Sequence, residues 1–158
     1  MKVLVFHIGG DRYGLRLTSI MRVLPLLELK QLPLAPDHVA GLMDLHGTSV
    51  PVIELSRLAG LPAAADHFDT RIVIVDYRGP DGVAHPLGLL ASQVRGIRDI
   101  APAALSDSGV LSAPFLGQVA SDADGILQLI ELEQLLPAAL RAILFQPAPA
   151  SSAGEAAA

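Results

Sequence analysis

The sequence predicts an all-β domain built from small barrels, and three observations carry that prediction. Many short apolar runs follow one another at close spacing, Gly and Pro punctuate them regularly, and the helical patterns between them are short. No strand, helix, strand alternation of the parallel α/β kind is present.

The elements follow in order. Lys2 to Ile8 and Arg12 to Leu17 are apolar-rich runs separated by Gly9-Gly10-Asp11, and the glycines supply the positive φ of a tight hairpin turn. Thr18 to Leu24 reads as a capped helical turn, with Thr18 or Ser19 as cap and Pro25 as its stop. Leu32-Pro33-Leu34-Ala35-Pro36 is an extended connector, because two prolines remove ladder donors. Asp37 to Gly41 reads as one helical turn. Gly41 to Leu55 is a second hairpin ending in Pro51-Val52-Ile53-Glu54-Leu55.

Ser56 is the expected cap of a short helix that Gly60 stops, followed by a loop over residues 63–69. Arg71 to Tyr77 is apolar on both faces, the mark of a buried strand. Gly79-Pro80-Asp81-Gly82 turns the chain, Val83 to Ala91 answers as partner, and Gln93 to Ile100 alternates as a half-exposed strand. Phe115 to Ser121 and Ile126 to Ile130 form a third hairpin around Asp122-Ala123-Asp124-Gly125. Leu132, Leu135, Leu136, Ala139, Leu140, Ile143 and Leu144 share a helical stripe that Pro137 splits. Residues 147–158 hold Pro, Ala and Ser with no large apolar residue, so a disordered tail is expected after a domain spanning 1–146.

Composition narrows the function. Apolar residues make up 51% of 158, ample for one packed domain, yet no apolar run reaches the roughly 18–20 residues that span a bilayer. Direct membrane insertion is not expected. The N-terminus lacks a long hydrophobic region and a small-residue cleavage site, which favours the cytoplasm. The absence of cysteine excludes disulfides and thiolate metal sites. A net charge of −5 and 4% aromatic residues leave neither a basic stripe nor stacking platforms, so no nucleic-acid partner is expected.

Catalytic and metal-binding patterns are sparse. His7, His38, His46, His67 and His85 are scattered, without the i, i+4 pairing that puts two imidazoles on one helical face. The chain has no phosphate-binding loop and no nucleophile elbow. Aligning Gly125 with the glycine of a calcium loop puts Asp122, Asp124 and Glu131 at ligand positions, but Ala120 stands where the first carboxylate belongs. A β-turn is the better account, and no catalytic residue, metal or cofactor is expected. Arg12, Arg16 and Arg22, or Arg95 and Arg98, are candidates for contact with an acidic partner surface.

Phe6-x-Ile8-Gly9, Tyr13-Gly14-Leu15, Leu32-Pro33-x-Ala35-Pro36, Asp44-Leu45-His46-Gly47, Pro51-Val52-Ile53-Glu54-Leu55 and Arg71-Ile72-Val73-Ile74-Val75 occur in one order. Together, from about Val3 to about Leu136, they resemble the CheW-like coupling proteins of bacterial chemosensory arrays. The resemblance implies two pseudo-symmetric five-stranded SH3-like barrels over a shared core, with the divide near 66–70 and chain segments crossing between barrels. It also implies a non-catalytic adaptor that couples the CheW-like regulatory domain of a CheA-type histidine kinase to the cytoplasmic hairpin tip of chemoreceptors. Recruitment to membrane-associated receptor arrays goes with that role.

Carried over by position, the resemblance marks Ile20, Arg22, Gly41, His46 and Val94 as partner-binding, with Val94 in the groove between barrels. His46 stands where the family motif Asn-Leu-Arg-Gly usually has arginine, which implies a divergent array, one whose output need not be swimming. From another functional class, a small ligand-binding or enzymatic barrel using the inter-barrel groove as its pocket remains the alternative.

Overall fold

The computed structural model describes residues 1–62, 69–110 and 112–145. His67 and the segment 147–158, with its expected disorder, lie outside the described residues, as does most of the expected divide at 66–70.

Nine strands run through the described residues: β1 (Lys2–Ile8), β2 (Asp11–Arg16), β3 (Ile20–Pro25), β4 (Val39–Leu45), β5 (Thr48–Glu54), β6 (Arg71–Arg78), β7 (Ala84–Asp99), β8 (Leu116–Asp122) and β9 (Gly125–Ile130). They form two five-stranded barrels that share β7. The first has the order β3-β6-β7-β5-β4 and the second β7-β1-β2-β9-β8. Each joins its two hairpins through one parallel pair, β5 with β7 in the first and β2 with β9 in the second. The halves are therefore related by pseudo-symmetry with exchanged segments: β1 and β2 leave the first half to build the second barrel, while β6 and the start of β7 return to build the first.

Side-chain alternation explains why the strands at the junction read as apolar on both faces. On β1, Val3 and Val5 point into the second barrel, while Leu4, Phe6 and Ile8 point into a shared core. On β6, Ile72 and Ile74 fill the first barrel, while Val73, Val75 and Tyr77 enter the same shared core. Successive residues of one strand thus serve two apolar compartments. Removing these faces from water is the main favourable term holding the barrels together.

Several expectations are corrected. The segment 18–24 is not a helical turn: a single 3-10 turn (Leu17–Ser19) precedes β3, whose pairing with β6 outweighs the local capping signal. Asp37 to Gly41 is a turn followed by strand, because Val39 pairs with Ile53 and Gly41 with Val52. Helix α1 (Leu55–Leu58) begins two residues early, so Ser56 lies buried inside it and Glu54 holds the N-cap position. The runs Val83 to Ala91 and Gln93 to Ile100 are one continuous strand. β7 pairs with β6 up to Ala91 and with β1 from Ser92, bulging where it changes barrel. At the C-terminus, a 3-10 turn (Leu132–Gln134) and helix α2 (Ala138–Leu144) flank Pro137 as expected. Only Leu132, Leu135, Leu136 and Leu140 of the stripe are fully buried, and Ile143 is exposed.

Candidate functional site

The two barrels end in corresponding edges. Among the described residues, β3 in the first barrel has one strand neighbour, β6, and the last part of β7 in the second has only β1. The opposite ends are covered, since Lys30 bridges to Leu42 beside β4 and Ser106 bridges to Val119 on β8. Each bare edge carries an arginine that reaches the tip of the hairpin closing its own barrel.

On the first edge, Arg22 Nη1 lies 2.9 Å from His46 Nε2. The β4–β5 turn holds His46 at φ 51° and Gly47 at φ 87°. Two consecutive positive φ values define the turn that matches strand twist, and histidine is among the side chains that tolerate this region. Asp44 Oδ1 accepts the Gly47 N–H at 2.9 Å and fixes the turn. Met21 and Val23, on either side of Arg22 in the chain, are 56% and 43% exposed. Ile20, the next residue back, is partly buried against the shared core.

The second edge is charged, and its charges are paired within the fold. Asp122 accepts two hydrogen bonds from Arg12, at 2.8 and 3.0 Å, and one from Arg98 at 3.3 Å. Arg98 also donates to Asp124 at 2.6 Å. The Arg12 hydrogen bond, reinforced by the Asp124 backbone N–H and the two guanidinium charges, lowers the Asp122 carboxyl to about 2. The same hydrogen bond raises Arg12 above its ordinary value. Arg12, Arg95, Arg98, His7, Gln93 and Asp124 line a cavity of about 440 Å³ here. Arg95 donates to Gln93 at 3.0 Å and lies 3.8 Å from Asp69. Asp122 and Asp124, weighed above as calcium ligands, therefore serve two arginines.

The candidate residues do not form one patch. Arg22 and His46 touch, and Ile20 adjoins them in β3. Gly41 is buried in β4 at φ 151°, where an added Cβ would meet the Lys30 carbonyl oxygen at 2.6 Å. Its bare backbone lets the Lys30 bridge close on β4. Val94 packs partly against the shared core at the point where β7 changes barrels. Arg12, Arg16 and Arg22 engage different partners, Asp122, Glu131 and His46 respectively. Sequence reasoning passed over Met21, Val23 and the Arg22–His46 contact. The signal available was two large apolar residues flanking an arginine after a tight turn, and it is indistinguishable from a helical turn until β3 is paired.

Comparisons with known proteins agree with this architecture. A family model described as the CheW-like domain matches residues 2–140. The chain is 25% identical over 140 residues to the chemotaxis protein CheW of Klebsiella aerogenes, covering 84% of this chain and 80% of that protein. It is 29% identical over 77 residues to CheW of Bacillus subtilis, a match that spans 49% of each. The crystal structure of the scaffolding protein TtCheW from Thermoanaerobacter tengcongensis superposes with a TM-score of 0.77 at 23% identity, over 88% of this chain and 94% of that one. With two exchanged barrels over one core and a family match from the first strand into the last helix, this chain belongs to the CheW-like domain family.

Proposed function

We propose that the protein is a non-catalytic adaptor of a chemosensory array, coupling a CheA-type histidine kinase to chemoreceptors by surface contact. Family membership supports the general role. The observation that carries the reading is the bare β3 edge, where Arg22, His46, Met21 and Val23 are exposed together beside a partly buried Ile20. An unpaired strand edge with exposed apolar residues is an interaction surface that a lone domain would otherwise hide. We assign this edge to the regulatory domain of the kinase and the Val94 region between barrels to the receptor tip. Among the described residues no helix is long and apolar enough to cross a membrane.

The test is calorimetry with the CheW-like regulatory domain of the CheA-type kinase from the same organism. Saturable one-to-one binding that Val23→Glu weakens is expected. Absence of binding by the wild-type chain overturns the adaptor role.

A further inference from the structure

We infer that the β3 edge and the β4–β5 hairpin tip form a cationic docking surface for a partner segment that carries a carboxylate among apolar residues. Arg22 makes the charged contact and His46 acts as its positioning residue. This rests on the adaptor reading and adds the chemistry of the segment recognised.

The argument starts from hydrogen-bond roles. A guanidinium has only donors, so in the 2.9 Å contact the acceptor is His46 Nε2. The imidazole proton then sits on Nδ1, and the ring holds Arg22 without cancelling its charge. Among the described residues no carboxylate forms an ion pair with Arg22. The nearest acid along the hairpin, Asp44, uses an oxygen on the Gly47 N–H. At the matching place in the second barrel, Arg98 meets both Asp122 and Asp124.

One edge arginine is thus neutralised within the fold, and the other is aimed and charged, with exposed Met21 and Val23 next to it in the chain and Val23 on the other face of the strand. A guanidinium with free donors favours a planar carboxylate that accepts two parallel N–H bonds, and the exposed Met21 and Val23 on the same edge favour apolar residues next to it along the segment. The same geometry accounts for histidine at position 46. An arginine there would set a second guanidinium against Arg22, with no acceptor between them.

The experiment measures binding of the kinase regulatory domain to full-length variants at two salt concentrations, with circular dichroism and melting curves as fold controls. Wild-type affinity should fall as salt rises. Arg22→Glu combined with His46→Arg keeps a hydrogen-bonded pair but removes the net charge, and should bind about tenfold more weakly with a flattened salt response. His46→Gln retains an acceptor and should bind nearly as wild type, whereas His46→Ala should weaken binding while leaving the salt response in place. Should the double variant melt early, Arg22→Gln carries the same expectation. A folded, uncharged variant that binds as tightly as wild type overturns this inference and leaves the adaptor role standing. No binding by the wild-type chain overturns both.

Discussion

The two hairpin tips hold equivalent places in the two barrels and solve the same problem with opposite chemistry. In the second barrel, Asp122 and Asp124 sit at a turn whose positive φ falls on Gly125, and their carboxylates bind Arg12 and Arg98. In the first, the positive φ falls on His46 and Gly47, and an uncharged ring meets Arg22. The difference teaches that pseudo-symmetry in backbone does not extend to charge. One tip is internally satisfied, and the other keeps an unneutralised cation facing solvent.

The largest test of the comparison concerns a glycine near the start of the first strand of each of these hairpins, at the end away from the tip. Gly41 in β4 and Gly117 in β8 both lie at register shifts of corresponding strands. Gly41→Ala must keep φ at 151° and push Cβ to 2.6 Å from the Lys30 oxygen, so a loss of about 3 kcal/mol is expected. Gly117→Ala meets the Leu129 oxygen at 3.1 Å and the movable end of Glu131, so about 1 kcal/mol is expected. Urea unfolding ranks the two. Equal losses would show that strain at Gly41 contributes nothing beyond crowding.

Acid separates the barrels by charge. The folded Asp122 carboxyl titrates at about 2, below its ordinary 3.8, so it favours the folded state above the ordinary value. That contribution declines as pH falls from about 4 toward 2 and is gone below both values. Urea midpoints between pH 5 and pH 2 should therefore decline less steeply in Asp122→Asn than in wild type. Identical slopes would mean the Arg12 and Arg98 contacts do not couple to folding.

The smallest effect is expected at the open tip. Arg22→Gln removes a single exposed contact to a neutral ring and should change stability by no more than about 0.5 kcal/mol. A loss several times larger, read from the same urea curves, would mean that the Arg22–His46 contact holds the hairpin against β3 rather than presenting a charge.

The amino-acid order by itself determined the hairpins, because Gly9-Gly10, His46-Gly47 and Asp122 to Gly125 carry turn chemistry that acts over a few residues. It also marked Arg71 to Tyr77 as buried on both sides, since its unbroken apolar stretch Ile72 to Val75 leaves neither face polar. The tertiary structure alone decided that Thr18 to Leu24 is strand, because the ladder donors and acceptors of β6 lie about fifty residues away in the chain and no local signal reports them. It likewise joined two apparent strands into β7, exchanged segments between barrels and buried Gly41 beneath Lys30. It brought Arg22 to His46 and Arg98 to Asp122, each 24 residues apart. Charge contacts of that kind depend on the separation of side chains in space, and spacing along a chain acquires that meaning only once the barrels have closed.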